Sequence, residues 1–292
     1  MKLASYRDGS RDGQLVVVSR DLASAHYATG IAGRLQQVLD DWNFMSPQLQ
    51  HVYDTLNQGK LRHAFPFDPA QCMAPLPRAF QWVDSAGPVA DDGTPTLRRG
   101  ASDAFLSPYG EIACAAPLAI DIEVRVAVAV GDVEAGIAPG SAIERVRLVL
   151  LAAEVVDRGA PDGFASAFAP VALTPDELGV GWQGGRLSVA PDLYWNGKRS
   201  VRPPADPGQR PPFGTLIAVA AARRGLAAGS LVGSGPMASA EDGPAARTLQ
   251  PGDRVRVDLK GADGQAQFGS IELRGVGPAV DLPDSDEDDT PV

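Results

Sequence analysis

The stretch Ile120–Val130 constrains the fold of this chain more than any other, because apolar residues occupy every second position. Its even-numbered residues are all isoleucine or valine, and successive side chains of a strand point to opposite faces. The sequence therefore predicts a long strand with one face in the core. The other face begins with three charged residues, Asp121, Glu123 and Arg125. Glu123 and Arg125 are expected side by side, about 7 Å apart along the strand.

Length and composition favour a strand-rich fold with some helices. The chain has 292 residues, of which 32 are glycine and 25 are proline, which is typical of many turns rather than of a helical bundle. Two amphipathic helices are predicted near the N-terminus, the second beginning at Ser46-Pro47. We expect a β-rich α+β protein whose C-terminal domain is a β-roll or distorted barrel, preceded by a small α+β N-terminal domain.

The pattern along the chain divides it into three segments. We expect an N-terminal domain over residues 1–75 and a larger domain over residues 76–280. Within the larger domain, residues 84–104 are polar, rich in glycine and weakly patterned, and are predicted to be loop. Residues 281–292 carry six acidic residues and little to bury, which predicts an acidic disordered tail.

Charge and hydropathy exclude several classes of function. The formal net charge is −10 and no basic stripe is present, so nucleic-acid binding is not expected. No apolar run reaches the length of a membrane span and the N-terminus carries early charges, so we expect a cytoplasmic protein without membrane association. The two cysteines, Cys72 and Cys114, are too far apart for a zinc motif and are expected to be reduced thiols.

Short motifs occur along nearly the whole chain in the order found in one known family. They include Asp8–Leu15, Gln71–Arg78, Ile120–Val130 and Gly252–Val257. In this combination the sequence resembles the two-domain bacterial type of the fumarylacetoacetate hydrolase (FAH) family. The resemblance implies cleavage of a carbon–carbon bond in a β-diketo or oxo acid, with relatives that decarboxylate, isomerise or hydrate. A magnesium or manganese ion would hold the dicarbonyl group and stabilise an enolate.

The metal ligands that the resemblance implies are only partly present. The family has Glu-x-Glu on one strand and an aspartate on the next. Glu123 matches the first ligand and Glu154 matches the third, although its carboxylate lies one methylene further out. Arg125 occupies the second position, and a guanidinium has no acceptor atom with which to bind a metal. We therefore expect no cofactor, with magnesium or manganese retained only if the family site survives.

Other parts of the family's catalytic machinery are also missing. The family usually has a histidine-bearing lid after Trp82, but all three histidines of this chain lie in its first 75 residues. A catalytic lysine is expected between Arg158 and Pro170, and that segment contains none. The family's substrate loop is matched here by Gly233-Ser234-Gly235-Pro236, where proline removes both a hydroxyl group and a backbone N–H group.

Two interpretations of the charged residues remain open. In one, Glu123, Arg125 and Glu154 form a buried salt-bridge triad where the metal would be. In the other, Arg125 binds an anionic ligand, assisted by the backbone amides of Gly233, Ser234 and Gly235. Arg125, Glu123 and Glu154 are then also the candidate catalytic residues.

Three functions follow from these alternatives. The first is a repurposed family member that has lost ordinary metal-dependent hydrolysis and binds, or transforms without metal, a small oxo or dicarbonyl acid. The second is a pseudoenzyme that serves as structural or regulatory partner of an active paralogue. The third is residual metal-dependent hydrolysis of a β-diketo acid. Because family members commonly dimerise, a homodimer or pairing with a paralogue is expected.

Overall fold

The computed structural model describes residues 1–86, 93–114, 119–159, 163–200, 210–239, 248–261 and 264–277. Within these residues the protein is α+β and strand-rich, as the sequence predicts. Its helices are few and short, apart from one of 16 residues near the N-terminus. The α-helices are α1 (Leu35–Asp40), α2 (Trp42–Asn57), α3 (Pro139–Ala142) and α4 (Phe213–Ala220), and short 3-10 helices lie at Pro69–Gln71, Ile143–Arg145 and Pro175–Gly181.

The strands fall into an N-terminal group and a larger C-terminal group. The N-terminal strands are β1 (Lys2–Tyr6), β2 (Gln14–Val18), β3 (Ser24–Tyr27) and β4 (Phe65–Pro66). The first half of the C-terminal group comprises β5 (Trp82–Ser85), β6 (Leu97–Gly100), β7 (Tyr109–Ala113), β8 (Ile120–Val130), β9 (Val146–Asp157), β10 (Gly163–Phe168) and β11 (Ala172–Leu173). The second half comprises β12 (Trp182–Gln183), β13 (Arg186–Leu187), β14 (Asp192–Trp195), β15 (Lys198–Arg199), β16 (Leu231–Gly233), β17 (Ala238–Ser239), β18 (Arg254–Asp258) and β19 (Ile271–Val276).

One large sheet joins the two groups of strands. Its order is β4-β3-β2-β1-β11-β9-β8-β16-β5-β6, with β10 paired to β9 and β17 paired to β8. A second sheet has the order β15-β14-β18-β19-β7, and β12 pairs with β13. Among the described strands these orders are open paths, so neither sheet closes into a barrel by hydrogen bonding. The antiparallel pairing of β1 with β11 makes the N-terminal hairpin part of the same sheet as the C-terminal strands.

The long strand predicted from alternation is confirmed as β8, which pairs antiparallel with β9 along its whole length. Its isoleucines and valines lie in one apolar core, together with residues of α4 and the second sheet. Ala127 and Ala129 lie in a different core, shared with the N-terminal helices and with Trp82. β8 therefore lies between two apolar cores. By alternation, its charged residues share a face with Ala127 and Ala129, whose core includes the N-terminal helices.

Three expectations about segments are corrected or fall outside the structure. Residues 84–104 are not one loop, because Asp84 and Ser85 end β5 while Leu97–Gly100 forms β6, and these strands pair antiparallel. The second helix begins at Trp42 rather than at Ser46, with Pro47 inside it. The predicted acidic tail, residues 281–292, lies outside the described residues.

None of the described helices is long and apolar enough to cross a membrane.

Candidate functional site: a buried cluster of arginines and carboxylates

The charged face of β8 meets an acidic residue of the neighbouring strand β9. Glu123 lies directly opposite Glu154 in the β8–β9 register. Two acids in this position repel one another unless a positive charge lies between them. Arg125 supplies that charge, since its Nη2 donates to Glu123 Oε2 at 2.7 Å and its Nε lies 2.8 Å from Glu154 Oε2.

Arg125 also reaches an aspartate two strands away. Its Nε donates to Asp84 Oδ2 at 2.6 Å, although β16 lies between β8 and β5 in the sheet. The strand β16 ends at Gly233, which pairs with Asp84 on one side and with Ala127 on the other. A Cβ atom at Gly233 would lie only 2.2 Å from Asp84 Oδ1, so glycine is what leaves room for this carboxylate.

A second arginine closes the cluster from the edge of the sheet. Arg98 lies opposite Asp84 in the β5–β6 register. Its Nη2 donates to Glu154 Oε2 at 2.5 Å and lies 3.5 Å from Asp84 Oδ2. The side chains of Asp84, Glu154 and Arg125 retain only 1%, 3% and 3% of their exposure, while Glu123 retains 27%. The cluster is therefore buried and reaches solvent mainly through Glu123 and Arg98.

Burial and the neighbouring charges have opposite effects on the pKa values of Arg125 and Glu154. Burial alone would lower the pKa of Arg125, but the attraction of Asp84, Glu154 and Glu123 outweighs it and raises that pKa. For Glu154 the loss of solvation prevails over the attraction of Arg125 and Arg98, so its pKa is raised. Arg125 is thus a permanent cation here, whereas Glu154 takes up a proton more readily than an exposed glutamate.

The loop Gly233–Gly235 is built into the same cluster. The backbone N–H of Gly235 donates to Asp84 Oδ1 at 2.9 Å. Ser234 Oγ donates to the Gly235 carbonyl at 2.8 Å and accepts from the Val126 N–H group at 3.2 Å, and the Ser234 N–H group donates to the Val126 carbonyl. The sequence predicts that the backbone amides of this loop bind a ligand, but those of Ser234 and Gly235 donate to acceptors of the protein itself.

The residues present do not fit a divalent metal at the position that the resemblance implied. A guanidinium group lies at ion-pair distance from all three carboxylates, where a metal would need their oxygen atoms. Within the described part of the chain, no group of three or more histidine, cysteine, aspartate or glutamate side chains is placed to hold a metal ion. We therefore derive no catalytic step through a metal.

The structure brings together every site residue proposed from the sequence and adds two that were missed. Glu123, Arg125 and Glu154 are in contact, and the glycine loop touches them through Asp84. Asp84 and Arg98 both lie in the segment 84–104, which the sequence predicts to be loop. The signal that could have found them is their opposite charge on two short segments able to pair as strands, which becomes visible only when the pairing is known.

Comparisons with known proteins agree with this fold. Residues 1–78 match the family model described as fumarylacetoacetase N-terminal domain 2, and residues 77–274 match fumarylacetoacetate (FAA) hydrolase C-terminal. Because the second match alone spans most of the chain, this protein belongs to the fumarylacetoacetate hydrolase family. A comparison with curated proteins finds no match.

Solved structures with the same fold superpose over nearly the whole chain. Maleylpyruvate hydrolase from Sphingobium sp. SYK-6, in complex with manganese(II) and pyruvate, is 17% identical with a TM-score of 0.70, covering 95% of this chain and 99% of its own. Fumarylacetoacetate hydrolase from the psychrophilic Exiguobacterium antarcticum is 18% identical with a TM-score of 0.66, covering 95% and 99%. At this identity the likeness establishes the fold alone.

Proposed function

We propose that this protein is a pseudoenzyme of the family, a structural or regulatory partner of an active paralogue or of a second copy of itself. The observation that carries the proposal is the burial of Arg125 among Asp84, Glu123 and Glu154. The charged groups that chemistry on an oxo acid would need are paired with one another. A protein that keeps the fold of the family while these charged groups are paired internally is suited to association rather than to turnover.

The same contacts weigh against an anion-binding role for Arg125. An arginine that anchors a carboxylate presents two parallel N–H groups to it. Here Nε and Nη2 already donate to the protein's own carboxylates, and Nη1 lies 3.5 Å from the Glu123 carbonyl. A ligand would have to displace charged partners that are almost fully buried, which costs several kcal/mol per ion.

The relatives named above suggest the alternatives against which the proposal is tested. They are called a maleylpyruvate hydrolase and a fumarylacetoacetate hydrolase, and other neighbours are called isomerases. The corresponding alternatives are metal-dependent cleavage of such acids, and binding or metal-independent conversion of a small oxo acid. Metal-dependent cleavage needs an oxygen cage around a metal, and binding of an acid by Arg125 needs free N–H groups on that side chain; no contact of the described residues favours either.

The decisive experiment is an activity assay with the purified full-length chain. Maleylpyruvate and fumarylacetoacetate are supplied with and without added manganese or magnesium chloride, and loss of substrate is followed by absorbance. We expect no turnover above the protein-free rate, and no saturable heat when pyruvate is titrated in a calorimeter. Saturable turnover that Glu123→Ala abolishes would overturn the proposal.

The partner role has its own measurement. Sedimentation equilibrium of the chain, alone and mixed with an intact family member from the same cell, reports self-association and pairing. We expect a dimer in at least one of the two samples. A monomer in both would remove the structural-partner role, whatever the activity assay gives.

A further inference from the structure

A cavity of about 420 Å³ lies where the N-terminal group of elements meets the C-terminal group. One wall comes from the loop between β1 and β2 and from α1, and the other comes from the segments that precede β5 and follow β6. Small-molecule sites have volumes of about 300–1,000 Å³ and often lie between domains. The residues that line this cavity are separate from those of the charged cluster around Arg125, so it is a different candidate site.

The two walls of this cavity are joined by a pair of hydrogen bonds. Arg78 Nε and Nη2 donate to the two carboxylate oxygens of Asp12 at 2.7 and 2.9 Å, which is the forked geometry of a specific arginine–carboxylate pair. The buried part of the lining is apolar, and Leu35 and Leu76 belong to one hydrophobic core. The cavity is therefore built into the packing between the two groups of elements.

Three exposed side chains of the lining remain available to a ligand. Phe80 is 62% exposed although its side chain is apolar. Arg11 and Asp103 are also exposed, and within the described residues neither takes part in an ion pair or a side-chain hydrogen bond. Arg78 and Asp12, by contrast, neutralise one another. The cavity thus offers one unpaired cation, one unpaired anion and one exposed aromatic ring.

These groups together define one class of ligand. A carboxylate accepts charge-assisted hydrogen bonds from an arginine, an ammonium group donates them to an aspartate, and aromatic rings pack against one another. We infer that this cavity binds an α-amino acid with an aromatic side chain, whose carboxylate contacts Arg11, whose ammonium group contacts Asp103 and whose ring packs on Phe80. A ligand of zero net charge also suits a described lining whose two arginines and two aspartates sum to zero.

The test is a titration of the full-length, isotope-labelled chain with L-phenylalanine, followed by amide chemical shifts. Phenylacetate lacks the ammonium group and phenethylamine lacks the carboxylate, so these two compounds are the matched probes. We expect L-phenylalanine to bind saturably with a Kd of about 10⁻³ M or tighter. Each matched probe should bind at least about fivefold more weakly, because one charge-assisted hydrogen bond is lost.

Substitutions assign each contact. Arg11→Gln should weaken binding of L-phenylalanine at least about fivefold and leave phenethylamine unchanged, and Asp103→Asn should do the same while leaving phenylacetate unchanged. Phe80→Ala should weaken all three compounds about threefold or more. The matched control is Phe44→Ala, which removes a ring that is 67% exposed on α2, outside this cavity, and should change nothing. Because all four side chains are exposed, we expect these variants to fold.

Three results would overturn the inference. The first is no saturable shift with L-phenylalanine up to about 10 mM, tenfold above the weakest expected Kd. The second is binding that Arg11→Gln, Asp103→Asn and Phe80→Ala all leave unchanged. The third is equal affinity for the three compounds, which would mean that the charged groups are not recognised. The inference goes beyond the proposed function, and turnover of an oxo acid would overturn that function without affecting this site.

Discussion

Two ion-paired regions lie on the same face of β8, and they are built differently. At the start of the strand, Asp121 pairs with Arg158 at 2.7 Å, and the arginine keeps 31% of its exposure. In the middle of the strand, Arg125 is shared among carboxylates of three strands and keeps 3%. The first pair joins β8 to the residue that follows β9, with a partly exposed arginine, whereas the second cluster ties β5, β8 and β9 together in the interior.

The difference shows why the inner cluster should dominate the energetics of this face. A partly exposed pair contributes little, since water screens it and the free side chains are well solvated. A buried cluster adds uncertain net stability, but removing one member leaves charges with no solvent to receive them. The comparison thus predicts a gradient of effects from Arg125 outward, and the following substitutions test it from the largest to the smallest.

Replacing Arg125 should have the largest effect. Arg125→Met keeps most of the volume but leaves Asp84 and Glu154 buried without their central partner. We expect a loss of about 3–5 kcal/mol in the free energy of unfolding, measured by denaturant titration. Adding Glu154→Gln should recover part of the loss, because one unpaired charge is then removed. A loss below about 1 kcal/mol would place this cluster with ordinary surface pairs.

Asp84→Asn should come second, because Asp84 uses both of its carboxylate oxygens. Oδ1 accepts from the Gly235 N–H group and Oδ2 accepts from Arg125 Nε. Asparagine replaces one acceptor by a donor, so one of the two partners must face an N–H group. We expect a loss of about 1–3 kcal/mol in denaturant unfolding. If Asp84→Asn were as stable as the natural chain, the contact with the Gly235 loop would not be stabilising.

Asp84 also marks the limit of what the sequence could predict. Alternation gave the long strand, its buried face and the neighbouring positions of Glu123 and Arg125, because all of that is local. The contact of Arg125 with Asp84 joins residues 41 positions apart, on strands that are separated in the sheet by β16. No periodicity signals such a contact, and the polar, glycine-rich surroundings of Asp84 favoured a loop. Composition predicted the fold class. The partners of Arg125 could be identified only once the order of the strands in the sheet was known.

Glu154→Gln should be milder than Asp84→Asn at neutral pH. In the described structure the ion pairs and hydrogen bonds of this side chain all use Oε2, so glutamine can keep an oxygen there and place its amide nitrogen at the other position. The substitution also removes the negative charge that the cluster carries in excess. We expect a change within about 1 kcal/mol in denaturant unfolding. A loss equal to that of Asp84→Asn would contradict this distinction between the two carboxylates.

The pH dependence of the unfolding free energy should distinguish the natural chain from Glu154→Gln. Burial raises the pKa of Glu154 in the folded protein above its ordinary value of 4.5, so between these values the folded state holds more protons than the unfolded state. The stability from this group is therefore fully present below the ordinary pKa and is lost as pH rises through the folded pKa. The difference in unfolding free energy between the natural chain and Glu154→Gln should shift against the natural chain as pH rises through this window. A difference that stays constant with pH would contradict the raised pKa.

Arg158→Ala should have a small effect, of the same order as that of Glu154→Gln, although Asp121 itself is buried. Burial already raises the pKa of Asp121 despite the attraction of Arg158, and its Oδ1 keeps a hydrogen bond from the Ile122 N–H group. Loss of the arginine should raise that pKa further and cost about 1 kcal/mol at neutral pH, because the pair lies at the margin of the sheet. Denaturant unfolding at neutral and mildly acidic pH measures the cost, which should shrink as Asp121 takes up a proton. A loss as large as that of Arg125→Met would mean that this face of β8 carries one continuous charge network, and that burial of the central arginine does not set the gradient.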